Sequence, residues 1–303
     1  YSTGKAIVNN LTYSQKGLGI TIESHFVDHM EFRSERAKQK EFIINYIPTL
    51  SKNHAYTLLA LYPCATQPEG EFGFNTNIFY KIPKNTLFGG KYGTKLNLNF
   101  ARTNSIEGGN SYLNDSSSHT SNPFKSISIK DETLYFSDFN LEINKKINKK
   151  VNLNLVLAKQ KYNKDVLEGK TIGEYGIISS TIAVADVSYK IKKGHTIRLE
   201  LQELLSEDDA TATNHADGDW HMMLAEYTIS PNWFFAIQDM YNYGSYYEDK
   251  QLHYVNTSVG YLKGANRFAI GYGKKRAGIF CVGGVCKEVP SSNGFSLNIS
   301  SSF

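Results

Sequence analysis

The sequence predicts an all-β protein, an antiparallel transmembrane β-barrel, and three observations carry that expectation. Apolar and polar residues alternate over stretch after stretch, which places them on opposite faces of strands. Tight turns and long polar loops follow one another along the chain, the asymmetry of a barrel with short periplasmic turns and long external loops. No run approaches the roughly 18 continuous apolar residues of a spanning helix, and the mean hydropathy of −0.38 suits strands with one wet face.

From the start, Ile7, Asn9, Leu11 and Tyr13 form a first strand, turned by Ser14–Gly17 into Ile20, Ile22, Ser24 and Phe26. After a charged stretch from Asp28 to Lys40, the short apolar runs Phe42–Tyr46 and Tyr56–Tyr62 read as two further strands. Phe72, Phe74, Thr76, Ile78, Tyr80 and Ile82 alternate cleanly, and Leu96, Leu98 and Phe100 oppose Lys95, Asn97 and Asn99. The Ser/Asn/Gly-rich segment from Asn104 to Asp131 reads as an exposed loop.

The middle of the chain carries the pattern most clearly. Tyr135, Phe139, Leu141 and Ile143 oppose Asp138, Asn140, Glu142 and Asn144, and beyond Asn148–Lys150 the residues Val151, Leu153, Leu155 and Leu157 oppose Asn152 and Asn154. Strands follow at 177–191, 197–201, 220–229, 233–243, 255–261 and 268–272, separated by turns such as Lys192–Gly194 and by the acidic loop Glu207–Asp219. The last strand sets Phe295, Leu297 and Ile299 against Ser296, Asn298 and Ser300 and ends on Phe303. It resembles the closing strand of bacterial outer-membrane barrels, where the final aromatic serves assembly.

About fifteen strands result, and alternating strands fix sides. With Phe303 at the periplasmic edge, Tyr1 falls on the external side, whereas single-chain barrels have even strand numbers and both termini inside. The expectation is therefore one barrel segment over 1–303, with fourteen to sixteen strands visible and at least one more upstream.

Charge narrows the partners. The 33 basic and 29 acidic residues are interspersed, with no basic block, and nothing suggests nucleic acid. On the wet faces, Glu23, Lys95, Asp138, Glu142, Lys159, Asp186, Arg198, Glu200 and Arg267 are expected to face the lumen. There they either tune a channel or pair across a filled interior. Tyr13, Tyr62, Trp220, Trp233, Tyr241, Tyr243 and Tyr261, near strand ends, fit aromatic girdles at the two membrane interfaces, with sugar-stacking platforms as the rival reading.

Cys281 and Cys286 flank Val282-Gly283-Gly284-Val285, a loop tip that a disulfide would close in an oxidising compartment. Half a metal site is the alternative, but no second Cys pair or His cluster accompanies them. Cys64 is left over. Asp217 and Asp219, with Asp208 and Asp209, are the carboxylates most able to gather a hard cation, yet their spacing departs from a calcium loop and a solvated acidic loop is the commoner meaning. The eight His are scattered, and no nucleophile elbow, zinc-protease helix or phosphate-cradling glycine loop occurs, so neither an enzyme nor a cofactor is expected.

The stretch Gly278-Ile279-Phe280-Cys281-Val282-Gly283-Gly284-Val285-Cys286, with Val289-Pro290 and Asn293-Gly294-Phe295 behind it, resembles an uncharacterised family of outer-membrane proteins of the Bacteroidota. Leu61-Tyr62-Pro63 with Ala65-Thr66-Gln67-Pro68, Gly90-Lys91-Tyr92-Gly93-Thr94, Glu142-Ile143-Asn144-Lys145-Lys146 and Asp239-Met240-Tyr241-Asn242-Tyr243-Gly244 look like that family too. The resemblance implies a place, the bacterial outer membrane, with lipid and lipopolysaccharide around the protein and other outer-membrane proteins or surface lipoproteins beside it. Two roles fit: a channel for small solutes or nutrients, which expects an open polar lumen, and a structural subunit of a larger envelope complex, which expects a filled one.

Overall fold

The computed structural model describes residues 4–35, 44, 46–106, 133–282 and 285–301, and the side chains of 279–288 lie outside that description. Fifteen strands are described: β1 (Lys5–Gln15), β2 (Leu18–Asp28), β3 (Gly70–Ile82), β4 (Thr94–Asn104), β5 (Leu134–Lys146), β6 (Val151–Asn163), β7 (Ile177–Lys192), β8 (His195–Glu207), β9 (Trp220–Ile229), β10 (Trp233–Asn242), β11 (Asn256–Lys263), β12 (Asn266–Lys275), β13 (Gly278–Val282), β14 (Val285–Val289) and β15 (Ser292–Ser300). One short α-helix among the described residues, α1 (Lys164–Glu168), joins β6 to β7, and a 3-10 turn spans Glu248–Lys250. No helix among the described residues is long and apolar enough to cross a membrane.

Thirteen strands form one antiparallel meander in the order β1 to β12 and then β15, while β13 and β14 pair with each other as a separate hairpin. The sheet does not close, because β1 pairs only with β2 and β15 only with β12. Its connections sort by end. One end carries the turns 16–17, 147–150, 193–194, 230–232 and 264–265 with the longer 83–93, and the other carries 29–69, 105–133, 164–176, 208–219, 243–255 and 276–291. Gly17 and Gly194 sit in the two-residue turns at φ of 85° and 80°, the left-handed region that a side chain resists.

The two faces of the sheet are opposite in character. Leu98, Leu141 and Leu157 line up in register on one face, and Asn77, Asn99 and Asn140 line up on the other. It is the polar row that is covered: Asn99 and Asn140 are 1% and 0% exposed, while Leu157, Ile237 and Ile270 are 60%, 52% and 55% exposed. A water-soluble sheet would hide the leucines.

What covers the polar face is the connection between β2 and β3. Its part from Thr49 to Cys64 reaches β5, β7 and β8 through side-chain bonds and packs beside Met240 of β10. Flat, β5 and β10 would stand roughly 24 Å apart at ordinary strand spacing, so the sheet curls round the segment to touch it from both flanks.

One strand expectation is corrected here, and a second lies mostly outside the described residues. Tyr56–Tyr62 is no strand but a run of turns, with the Ala60 amide donating to the Tyr56 carbonyl at 3.1 Å and that of Leu61 to Leu58 at 3.3 Å. Its apolar residues are continuous rather than alternating, because the segment is wrapped on more than one side. Of Phe42–Tyr46 only Ile44 and Tyr46 are described, and neither lies in a strand. The cysteine loop in turn is a hairpin, and most of the Asn104–Asp131 loop lies outside the described residues.

Candidate functional site: a polar face closed by an inner segment

The covered face has two zones. Toward the short-turn end it is a ladder of amides and charges. The Asn140 amide donates to the Asn99 side-chain oxygen at 3.2 Å, Asn99 donates to Asn75 at 2.7 Å, and Asn75 donates to Glu23 at 3.0 Å. Farther round the sheet, the Arg198 guanidinium donates to the Asp186 carboxylate at 3.0 Å and also to Glu200. Asn140, Asn99, Asn75 and Arg198 thus each find a partner on a neighbouring strand, which offsets the cost of covering them.

Toward the long-loop end the covered face turns apolar. Tyr162, Ile178, Ile182, Leu204, Trp220 and Met222 are all buried there, and Leu58, Leu59 and Tyr62 of the inner segment pack among them. In β6 and β8 large apolar side chains stand on both faces, as Val156 beside Leu157 and Leu204 beside Leu205 show.

The inner segment matches this division residue by residue. Lys52 Nζ donates to the Asn140 side-chain oxygen at 3.2 Å and to Glu142 at 3.1 Å. His54 Nε2 lies 2.6 Å from the Asp138 carboxylate. Tyr56 donates its hydroxyl to Asp186 at 3.1 Å and accepts from Asn154 at 2.6 Å. Deeper in, the Leu58 amide donates to Gln202 at 2.8 Å, and Gln160 donates to the Leu59 carbonyl at 3.1 Å. Alternate residues of an irregular segment therefore address the polar ladder, and the leucines address the greasy zone.

A cavity of about 400 Å³ remains between this segment and the far wall of β10 and β12, within the range of small-molecule sites. Leu59, Leu61, Phe136 and Met240 give its lining an apolar part, and Lys274, Lys275 and Arg276 give it a basic one. Two further lining groups are neutral: burial pushes the Cys64 thiol up to about 12 and pushes the Tyr62 phenol upward as well.

The expected lumen charges divide. Asp138, Glu142, Asp186, Arg198 and Glu200 belong to the covered ladder with Glu23. Arg267 lies on the same face, its guanidinium 4.9 Å above the Phe234 ring, and Lys95 holds the parity of Asn97 and Asn99 at the exposed rim. Lys159 is a correction. It shares the parity of Leu155 and Leu157 and is exposed on the bare face, next to Phe139.

The expected girdle also divides. Trp233 and Tyr261 touch at 4.8 Å between ring centroids on the bare face, and Trp233 stacks along Phe235. Tyr13 is exposed on β1 near the same short-turn end. At the opposite end Tyr241 stacks on His253 at 3.9 Å, and the partly buried Tyr243 hydroxyl bonds Glu203. Two expectations fail: Tyr62 is 3% exposed inside the inner segment, and Trp220 is 2% exposed beneath the Arg276 guanidinium. Trp220 opens β9 and Tyr62 closes an apolar run, which is all that spacing could see; facing decides the rest.

The acidic loop spends its carboxylates separately. Asp217 accepts from Arg276 at 3.1 Å, Asp208 lies 3.0 Å from His215, Asp209 caps Thr211, and Asp219 accepts the Ser206 amide at 2.7 Å. No cluster able to hold a metal occurs among the described residues. Cys281 and Cys286 are register partners across β13 and β14, but their side chains lie outside the described residues, and no disulfide is seen among the rest. Phe303 also lies outside the described residues.

The inner segment is what sequence reasoning missed. The one signal was its lack of alternation between two strands that alternate well. No curated protein matches the chain. A family model does match it over residues 1–303, and the chain belongs to that family, described as a family of unknown function (DUF6029).

Proposed function

We propose that this chain is an integral outer-membrane β-protein whose bare face meets lipid, and that it moves small solutes through a passage closed at rest by its own Thr49–Cys64 segment. The observation that carries the reading is the inversion of the sheet, with leucines and isoleucines exposed and asparagines and carboxylates buried. In lipid that arrangement satisfies both faces.

Closure of the open sheet into a barrel is part of the proposal, as is the bacterial, Bacteroidota, setting that the sequence resemblance suggests. Transport is favoured by the way the passage is blocked. The inner segment joins the polar ladder through side-chain bonds and adds no strand to the sheet. Such contacts can be exchanged for water without unfolding the sheet.

A structural role in an envelope complex is the second reading, and the filled covered face favours it. Planar-bilayer recording separates the two. Replacing residues 49–64 by a Gly/Ser linker of equal length is expected to turn a nearly silent protein into a steady conductance. A properly inserted variant that stays silent would sink the transport reading and leave the structural one.

A further inference from the structure

The cavity beside the inner segment has a one-sided charge. Among the described residues, the charged or chargeable nitrogen groups on its wall are Lys52, His54, Lys274, Lys275 and Arg276, and no Asp or Glu lines it. Three of these face carboxylates set behind the wall: Lys52 with Glu142, His54 with Asp138, and Arg276 with Asp217. Lys275 donates to the Ser296 hydroxyl at 2.8 Å, and Lys274 instead lies 4.9 Å over the Tyr254 ring. A cation held against an aromatic face keeps its charge and part of its hydrogen-bonding capacity.

The geometry points to a binding site for a small organic monoanion with a compact apolar body, its charged end at Lys274 and its body against Leu59, Leu61, Phe136 and Met240. The arithmetic of the wall selects this class. A neutral solute would leave the positive end unanswered, and a cation would meet like charge in a confined space where field lines are focused. A bare inorganic anion would leave the apolar side unfilled. The neutral thiol and phenol of Cys64 and Tyr62 add no negative charge to oppose it.

The site deepens the transport reading and rests on it for the route by which the anion arrives, but binding itself needs no passage. The measurement is calorimetric titration of the purified full chain in neutral detergent with benzoate, benzamide and benzylamine. Benzoate is expected to bind saturably and to weaken as salt rises, with benzamide and benzylamine at least about tenfold weaker. Lys274→Gln is expected to cost benzoate about tenfold and leave benzamide unchanged, and Lys193→Gln, in the turn between β7 and β8, is expected to change neither.

Equal binding of benzoate and benzamide, no saturable binding of benzoate, or indifference of benzoate to Lys274→Gln in a protein that melts like the parent would each overturn the proposal. The failures are distinguishable. Conductance from the variant lacking 49–64 without benzoate binding by the parent removes the site and keeps transport; benzoate binding without conductance does the reverse.

Discussion

His54 of the inner segment and Asp138 of β5 meet at 2.6 Å with side chains 7% and 0% exposed, 84 residues apart in sequence. The contact ties the segment to the wall at the boundary between the amide ladder and the greasy zone. Asp138 also accepts from the Asn140 amide at 3.2 Å, so one carboxylate organises both the wall and its cover. Replacing Asp138 by Ala removes the partner of a buried group, a loss of about 3 kcal/mol by the behaviour of buried pairs. Urea unfolding in detergent is expected to register it. Proteolysis within 49–64 is expected to accelerate before the sheet itself melts, and unchanged cleavage would mean that the segment is held by its leucines alone.

Gly260 of β11 lies under the Phe234 ring, and a Cβ built there would fall 2.1 Å from the ring edge. The Arg267 guanidinium lies 4.9 Å over the same ring. The absence of a side chain at 260 therefore sets the depth at which Phe234 lies on the covered face. Gly260→Ala is expected to destabilise by about 2 kcal/mol through overpacking. Combining it with Phe234→Leu, which withdraws the ring edge, is expected to cost less than the sum of the two changes, and additive losses would mean that the strain lies elsewhere.

Much of the sheet was legible because alternation is a local signal. Phe72, Phe74 and Ile78 announce β3, and Leu141 against Asn140 announces the hairpin of β5 and β6. What was illegible depends on contacts made far along the chain. Tyr56–Tyr62 looks like a strand because both strands and wrapped segments are apolar, and only Gln160 and Gln202, more than a hundred residues away, show which it is. Lys159 was misplaced for a different reason: polarity was read as facing, whereas a lysine near the end of a bare strand can extend toward water.

Cys64 offers a titration whose sign is settled by burial. Its thiol is pushed from an ordinary 9.0 up to about 12, chiefly by desolvation, with the nearby Glu71 carboxylate adding to the rise. A raised acid favours the protonated folded state, so its contribution is complete below pH 9 and is lost as pH climbs toward 12. In a Cys281→Ser, Cys286→Ser background, iodoacetamide is expected to modify the folded chain slowly at pH 8.5 to 9.5 and the urea-unfolded chain fast. Equal rates would place the thiol in water.

Cys281 and Cys286 stand opposite one another in the β13–β14 register. Opposed residues of an antiparallel pair have Cα atoms about 4.5 to 5.5 Å apart, a span that a disulfide accepts. A bridge there is expected to form on oxidation and to appear as a two-hydrogen gain in mass on reduction. Free thiols at both positions in protein taken from an oxidising compartment would refute it.

Ile237 lies midway along β10 between Trp233 and Tyr241, which are separated by about 27 Å of extended chain. All three share one parity, and Ile237 is 52% exposed with Phe235 at 43% beside it. If this face meets lipid, Ile237 sits near the bilayer midplane, where an arginine costs about 2 to 4 kcal/mol. If it meets water, the same substitution belongs among surface changes worth roughly half a kcal/mol or less. Folding of Ile237→Arg into phospholipid vesicles, followed by the shift of its denaturant midpoint, is expected to show the larger loss. Lys159→Leu, near the long-loop end of the same face, is expected to shift the midpoint little. An Ile237→Arg chain as stable as its parent would remove the membrane from the reading of this protein.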